Sequence, residues 1–224
     1  MSHNIGDITV SKNSGFCFGV DRACTSLQNA IDANTDNNVD IYTLGKLIHN
    51  DTFNSRVKAK GVRVIEEADI DGIIEQGKLS NERSVRIFIR AHGVPEKLTE
   101  KLEMLSNKYP FFSYTDCTCP YVKKIQKIAK DASSHSEGEN ENCFILIGSA
   151  AHPEVVSILS YFNGEKFVFS SLAELRDSFD NGRIPFDSKN VIMASQTTMD
   201  KNEWDRCAAF AKEYIPNVII RDTV

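Results

Sequence analysis

The sequence contains no apolar run long enough to span a bilayer, and residues 1–30 contain no segment of the signal-peptide type. We therefore expect a cytoplasmic protein. An excess of positive charge is also missing, because 26 lysines and arginines are outnumbered by 31 aspartates and glutamates, for a net charge of −5. A nonspecific nucleic-acid surface is not expected as the main function of such a chain.

The composition is ordinary for a globular protein, with 41% hydrophobic and 25% charged residues among 224. This length allows one large domain or two small ones, with enough apolar residues for a sizeable core. Six cysteines are present. In a cytoplasmic setting, cysteines are more often free, metal-bound or redox-active than joined in structural disulfides.

Strand and helix patterns alternate along the chain, which predicts an α/β fold with mostly parallel sheets and helices on both faces. The predicted strands are 8–10, 39–44, 62–65, 85–89, 111–114, 143–147, 166–169, 191–194 and 218–220. The predicted helices are 20–33, 51–60, 95–107, a helix from 120 onward, 152–162, 172–179 and 201–214. Segment 70–83 is polar and irregular, which indicates a surface loop or a short helix, and 133–142 is expected to be a mobile acidic loop.

One construction occurs twice: a strand, a tight turn carrying a cysteine, and a helix. Cys119 stands at such a turn before Pro120, and Cys17 stands at an earlier one. A thiol beside the free N–H groups of a helix start is favoured as thiolate, the form that binds metal. The alternative is a buried structural cysteine, and this is the interpretation that we give to the cysteines on apolar faces: Cys24, Cys143 and Cys207.

Polar residues follow the strands at positions that repeat in the two halves. His49 and His152 stand at nearly the same offset from Cys17 and Cys119, respectively. His92 and Thr197 form a second matching pair. This is an internal repeat of roughly a hundred residues, one domain in length. We assign residues 1–117 to the first repeat and 118–217 to the second, and we expect their strand ends to face one cavity.

Each of these residues also has a simpler interpretation. A histidine after a strand is often only a hydrogen-bonded turn residue. Glu154 near a helix start can simply favour the helix dipole. Thr197 and Thr198 can cap the next helix. His3 and His135 are expected to be solvated.

The residue types suggest a metal centre facing an anionic ligand. Two thiolates are too few for an ordinary iron–sulfur cluster and for structural zinc. Imidazoles and helix N-termini suit a phosphate group. A carboxyl group beside a metal suits proton delivery.

Six segments, in this order, resemble 4-hydroxy-3-methylbut-2-enyl diphosphate reductase. They are 15–23 (GFCFGVDRA), 48–50 (IHN), 91–94 (AHGV), 116–120 (DCTCP), 151–155 (AHPEV) and 196–198 (QTT). Enzymes of this family carry out a reductive dehydroxylation that makes isopentenyl and dimethylallyl diphosphate, the last step of the non-mevalonate isoprenoid pathway.

The resemblance implies a trefoil of three similar α/β domains around a 4Fe-4S cluster held by three cysteines. Cys17 and Cys119 match two of these ligands, and the Thr-Cys-Pro context selects Cys119 over Cys117. One iron without a cysteine ligand is then open to act as a Lewis acid on the substrate. A ferredoxin- or flavodoxin-type protein is implied as the electron donor.

The resemblance also implies a role for each polar site residue. Glu154 matches the proton donor, and Thr197 matches a hydroxyl that supports the substrate hydroxyl and the proton path. The residues that match the substrate and diphosphate site are His49, His92 and His152.

The chain departs from the family pattern because no third cysteine follows at the expected spacing. We interpret 218–224 as the start of a third repeat that is otherwise absent, and we expect the third ligand beyond Val224. Activity of these residues alone is therefore not expected. Two alternatives remain: a thiol oxidoreductase that uses Cys117 and Cys119 as a dithiol, and a nonenzymatic diphosphate-binding domain.

Overall fold

The computed structural model describes residues 15–80, 83–134, 141–184 and 189–224. The expected strand at 8–10, His3, His135 and the centre of the acidic loop lie outside these residues. Within them, strands and helices alternate as the sequence predicts. The helices are α1 Phe18–Ala33, α2 Asp51–Ala59, α3 Ile70–Leu79, α4 Glu96–Lys108, α5 Pro120–Ser134, α6 Pro153–Ser160, α7 Leu172–Asp180 and α8 Lys201–Tyr214.

The strands form two separate sheets of four parallel strands each. They are β1 Val39–Leu44, β2 Arg63–Ile65, β3 Ser84–Ile89, β4 Phe112–Asp116, β5 Glu141–Ile147, β6 Glu165–Phe169, β7 Lys189–Ser195 and β8 Ile219–Ile220. The first sheet has the order β2-β1-β3-β4 and the second the order β6-β5-β7-β8. The identical order confirms an internal repeat of one α/β unit.

Helices cover both faces of each sheet, because both faces of these strands are apolar. In the first unit, α1 and α2 pack on one face, while α3 and α4 pack on the other. In the second unit, α5 and α6 pack on one face of the sheet, while α7 and α8 pack on the other. The continuous buried run in β5, from Cys143 to Ile147, is typical of a parallel strand enclosed on both sides.

Segment 70–83, for which a surface loop or a short helix is expected, contains the helix α3, because Ile70, Ile73 and Ile74 lie on one face and pack into the core. Residues 218–224 are interpreted above as the start of a third repeat, and within them β8 is hydrogen-bonded in parallel to β7 at the edge of the second sheet. In the same way β4, which precedes Cys119, pairs with β3 and completes the first sheet.

The two units meet through a polar seam between the loop after β3 and helices α5 and α6. Ser157 Oγ donates to the Val94 carbonyl at 2.9 Å and accepts from Gln126 Nε2 at 2.8 Å. The Glu96 amide donates to Ser160 Oγ at 2.9 Å. Gly93 lies inside this seam at φ +76°. The seam fixes how the strand ends of one unit face those of the other.

We predict that Gly93→Ala destabilises the protein more than an ordinary positive-φ glycine replacement. A Cβ at Gly93 would lie 2.6 Å from Gln126 Nε2 and 2.8 Å from Ser157 Oγ. Backbone strain costs about 1–2 kcal/mol, and overpacking adds about 1–3 kcal/mol. Gly182→Ala is the matched control, because Gly182 has φ +62° with no neighbour within 4 Å. Urea unfolding measures both, and equal losses in the two variants would contradict the packing argument.

Candidate functional site

Both turn cysteines occupy the same position relative to a helix. Cys17 is the N-cap residue of α1, and its carbonyl accepts from the Asp21 amide at 2.9 Å. The Cys119 carbonyl accepts from the Lys123 amide, also at 2.9 Å, at the start of α5. Each thiol is therefore held beside the free N–H groups of a helix start, as the sequence predicts.

The two cysteine turns adjoin each other. Cys119 packs directly on Gly19 in the first turn of α1, where an added Cβ would overlap the Cys119 Sγ. Next to this contact, Arg22 Nη2 donates to the Thr118 carbonyl at 2.6 Å. Cys17 precedes Gly19 by two residues, so the exposed Cys17 and the partly exposed Cys119 lie in neighbouring turns. The absence of a side chain at Gly19 allows this approach of the two turns. Two free thiols at adjoining helix starts are a donor set that fits a sulfur-ligated group, and we call these two turns the cysteine cradle.

The other cysteines are separated from this cradle. Cys117 is 2% exposed and packs in the core between α1, α2 and the first sheet, where burial raises the pKa of its thiol. Burial also raises the pKa of Cys24 and of Cys207 to about 11. Cys143 is fully buried in β5. The expectation that Cys24, Cys143 and Cys207 belong to the core is confirmed, and the burial of Cys117 disfavours a Cys117–Cys119 dithiol.

Three imidazoles from both units converge at the carboxyl ends of the strands. His49 follows β1, His92 follows β3, and His152 follows β5. The ring centroids of His49 and His92 are 4.4 Å apart, and His152 lies 5.8 Å from the first ring and 5.3 Å from the second. The grouping of these histidines in one place agrees with the rule that parallel sheets collect functional residues at this edge.

Short hydrogen bonds hold the histidine loops and tie them to the second cysteine turn. The Asn50 side chain caps α2 by accepting from the Phe53 amide at 2.8 Å. The Ala91 amide donates to the Leu47 carbonyl at 3.0 Å, which joins the loops of His49 and His92. The Cys119 amide donates to the Ala91 carbonyl at 2.8 Å. The imidazole cluster therefore lies directly beside the cysteine turns.

Burial keeps two of the imidazoles uncharged at neutral pH. It lowers the pKa of His92 to about 4, with smaller contributions from the two other imidazoles and from Arg90. Burial also lowers the pKa of His152, although the Glu154 carboxylate opposes part of this effect.

The tautomer of His152 is set by its position as the N-cap of α6. Its Nδ1 accepts from the Glu154 amide at 3.2 Å, so in the neutral ring the proton resides on Nε2. The ligand atoms of His49, His92 and His152 lie within 4.8 Å of one another, which would suit a metal ion. However, an Nε2–H group cannot ligate a metal. The cluster is better suited to an anion or a hydroxyl group, to which neutral His152 can donate.

Glu154 and Thr197 form a hydrogen-bonded pair beside His152. Glu154 is only 2% exposed. Its Oε1 accepts from the Thr197 amide at 2.6 Å, and its Oε2 accepts from the Thr197 hydroxyl at 2.9 Å. The simpler interpretation of Thr197 as a helix cap is wrong, because Asp200 caps α8 by accepting from the Glu203 amide. The carboxyl group of Glu154 is thus bound to a residue that follows β7 and is not merely a helix-dipole charge.

Three residues that organise this edge, Arg22, Gln196 and Arg90, are not predicted as site residues from the sequence. Arg22 links the two cysteine turns, as described above. Gln196 accepts from the Ser149 amide at 3.1 Å and joins the loops after β5 and β7. Arg90 donates from Nε to the Gly93 carbonyl at 3.1 Å. Each lies inside or next to one of the six segments that resemble the reductase family, and this position is the only indication of a role that the sequence gives.

The fold and the site define a class of protein: repeated units with parallel sheets, whose strand ends bring two cysteine turns, three imidazoles and a buried carboxyl group together. A sequence model described as LytB protein matches residues 8–224. The chain therefore belongs to the LytB protein family.

Curated relatives carry the name 4-hydroxy-3-methylbut-2-enyl diphosphate reductase. The chain is 28% identical to one from Caldanaerobacter subterraneus over 97% of its own length and 66% of the relative. It is 31% identical to one from a Thermoanaerobacter species, again over 97% and 66%. It is 33% identical to one from Oleidesulfovibrio alaskensis, over 94% and 66%. The chain thus spans about two thirds of the length of these relatives.

Two solved structures share the fold. One, of "(E)-4-Hydroxy-3-methyl-but-2-enyl Diphosphate Reductase, the Terminal Enzyme of the Non-Mevalonate Pathway", has a TM-score of 0.71 at 24% identity and covers 97% of this chain and 67% of its own. A reductase from Plasmodium falciparum has a TM-score of 0.72 at 18% identity, with coverages of 94% and 57%. Among the described residues, no helix combines the length and apolar character needed to cross a membrane.

We predict a pH-dependent stability that comes from His92. The pKa of His92 is about 4 in the folded chain, lowered from the ordinary histidine value of 6.5 that we take for the unfolded chain. Between these values the unfolded chain binds more protons, so the free energy of unfolding rises with pH through this window. Acidification from about pH 6.5 to 4 should remove up to about 3 kcal/mol at this residue.

His92→Asn should flatten this dependence. Urea unfolding of both proteins at several pH values gives the difference, in which other titrating groups cancel. Equal slopes in the two proteins would show that His92 is not the depressed group.

Proposed function

We propose that the chain belongs to an enzyme that reductively dehydroxylates (E)-4-hydroxy-3-methylbut-2-enyl diphosphate to isopentenyl and dimethylallyl diphosphate, the last step of the non-mevalonate pathway. The observation that carries this proposal is the convergence of the His49, His92 and His152 rings from two units beside the adjoining turns of Cys17 and Cys119. The names of the relatives support the same substrate and reaction.

We assign the cradle of Cys17 and Cys119 to a 4Fe-4S cluster with a third cysteine beyond Val224. When bound, this cluster supplies electrons and an iron that acts as a Lewis acid. Two features support a three-cysteine site. The first is that Cys17 is exposed and Cys119 is partly exposed. The second is that β8 is the last strand of the second sheet, just as β4, the strand before Cys119, is the last strand of the first sheet. We propose the units 1–117 and 118–217, and we propose that 218–224, whose strand β8 pairs with the second sheet, leads toward a third.

We assign diphosphate binding to the three imidazoles. The Nε2–H of His152 remains a hydrogen-bond donor in the neutral ring, so this residue binds a phosphate oxygen without requiring a positive charge. His49 is exposed and His92 is partly buried, which places their rings at the rim and the wall of the site. Electrons would arrive from a ferredoxin- or flavodoxin-type protein.

We assign proton delivery to Glu154 acting through Thr197. Removing the substrate hydroxyl as water requires two electrons and two protons. In the ionised pair, the Thr197 hydroxyl donates to Glu154 Oε2, which leaves the lone pairs of Oγ1 free to accept from a substrate hydroxyl. In the protonated pair, the carboxyl donates to Oγ1 and the hydroxyl can pass its own proton to the leaving oxygen. The same two residues thus orient the hydroxyl and protonate it.

Iron and sulfide analysis after anaerobic reconstitution tests the cluster. A protein of the length of its relatives should bind iron and sulfide stably, whereas in residues 1–224 the cluster should be labile or missing, because a stable cluster in this assignment has three thiolates. Cys17→Ser and Cys119→Ser should each abolish this binding. Cys207→Ala is the matched control, because Cys207 is fully buried in α8, and it should bind iron like the wild type.

The same experiment separates the alternatives. A protein of the length of its relatives that binds diphosphate but no iron would indicate a nonenzymatic binding domain. A reducible Cys117–Cys119 disulfide without iron would indicate a thiol oxidoreductase. A full and stable four-iron cluster in residues 1–224 would contradict the three-cysteine assignment.

We predict that Glu154→Gln, in a protein of the length of its relatives, lowers kcat by about 10²–10⁴-fold, the usual scale of acid–base catalysis. The amide retains an oxygen for the Thr197 amide but loses the titratable proton. Iron content and diphosphate affinity should stay near the wild-type values. Thr197→Ser, which keeps the hydroxyl, is the matched control and should retain most activity. Wild-type turnover in Glu154→Gln would remove Glu154 from the mechanism.

A further inference from the structure

Arg90 spans the two histidine loops of the first unit. It directly follows β3, and its Nε donates to the carbonyl of Gly93, the residue after His92. Its Nη1 lies 2.8 Å from the position that a Cβ on Gly45 would occupy. Gly45 begins the loop after β1 that carries His49, and its φ of +71° and lack of a side chain make room for the guanidinium. The side chain therefore runs along the carboxyl edge of the sheet, against both loops.

The charge of Arg90 acts on imidazoles from both units. Arginine is protonated at every physiological pH, and Arg90 contributes to lowering the pKa of both His92 and His152. Two acidic groups lie near this edge, because Glu66 faces Arg90 and Glu154 lies beside His152. Arg22 lies at the cysteine turns, where its Nη2 is bound to the Thr118 carbonyl. Lys46 is also on the His49 loop, but it is exposed and paired with Asp51 at 2.9 Å.

An anion site in which the imidazoles of His92 and His152 are uncharged has hydrogen-bond donors there but no positive charge from these two rings. Hydrogen bonds from a charged donor to a phosphate oxygen are roughly twice as strong as those from a neutral donor. The guanidinium fork can hold a loop carbonyl with Nε while its remaining N–H groups attract an anion.

We propose that Arg90 supplies the fixed positive charge of the diphosphate site and, through Gly93 and Gly45, holds the loops of His49 and His92 in place. This proposal rests on the proposed function, because it assigns the imidazole cluster to a diphosphate. Arg90 is then a positioning residue and a source of the electrostatic attraction that draws the anion to the site.

Calorimetric titration of the 224-residue chain with inorganic diphosphate, at several salt concentrations, tests the proposal. Arg90→Gln should weaken binding by about 10–100-fold, the range expected when a charge-assisted interaction is lost, and should flatten the salt dependence. Arg90→Lys keeps the charge but lacks the guanidinium fork that holds the Gly93 carbonyl, so relative to Arg90→Gln it should restore the salt dependence but only part of the affinity. The matched control is Arg86→Gln on the same strand, where Arg86 is exposed and donates to Thr115 Oγ1; it should bind like the wild type.

Gly45→Ala provides a second variant that leaves the charge in the chain. Its added Cβ should displace Nη1 and weaken diphosphate binding. Gly61→Ala, at φ +91° with open space around it, is its control and should not change binding. Should Arg90→Gln fail to fold, Gly45→Ala and Arg90→Lys carry the test.

The outcomes are distinguishable. Unchanged affinity in Arg90→Gln and Gly45→Ala would overturn the role of Arg90 and leave the reductase proposal standing. Weaker binding with an unchanged salt dependence would show that Arg90 only braces the loops, which overturns its electrostatic role. If the wild-type chain binds no diphosphate, both the assignment of the three imidazoles to a diphosphate and this proposal are contradicted. The assignment of the cysteines to an iron–sulfur cluster is tested separately, by iron content.

Discussion

The contact between Gly19 and Cys119 is the constraint on which the site depends. A side chain at position 19 would overlap the Cys119 thiol, so the first turn of α1 and the turn before α5 can approach only if this residue is glycine. Arg22 holds the same approach by its bond to the Thr118 carbonyl. Because the Cys119 amide is also bound to Ala91, any shift of this turn would move the neighbouring His92.

The seam between the units extends this constraint to the second half of the molecule. Ser157 on α6 accepts from Gln126 on α5 and donates to Val94, which follows His92 by two residues. Since α6 begins next to His152, the same helix that meets the first unit also presents the third imidazole. Assembly of the site therefore depends on the packing of the two units, because neither sheet alone brings the three rings together.

Sequence periodicity predicted most strands and helices because the parallel strands are apolar runs bounded by clear turns. It left a loop and a short helix open for 70–83, because Gly72 and Gly77 weaken the pattern of the helix that the structure has there, α3. Gly77 is required there because an added Cβ would overlap the ring of Phe111, and such a contact has no trace in local sequence. It predicted the strand β8 but not its partner, because the partner of a strand is decided by the sheet and not by the turn that follows it. The rule that functional residues collect at strand ends indicated which residues belong to the site. It did not indicate which hydrogen bonds these residues form. The Glu154–Thr197 pair, the tautomer of His152 and the path of Arg90 depend on side-chain directions that spacing does not encode.

The two units have the same arrangement of strands and helices, but they differ in the residues at the starts of α2 and α6. In the first unit, the residue after His49 caps α2, and the acidic residue of that helix start, Asp51, is exposed and paired with Lys46. In the second unit, His152 itself is the cap of α6, and the acidic residue, Glu154, is buried and bound to Thr197. A shift of one residue in the cap thus turns a solvated carboxylate into an enclosed one. An enclosed carboxyl group beside a hydroxyl can exchange a proton within the site, whereas a lysine-paired carboxylate in water cannot serve this purpose. Of these two helix starts, only the one in the second unit carries a carboxyl group that is enclosed and bound to a hydroxyl, within a scaffold that is otherwise the same.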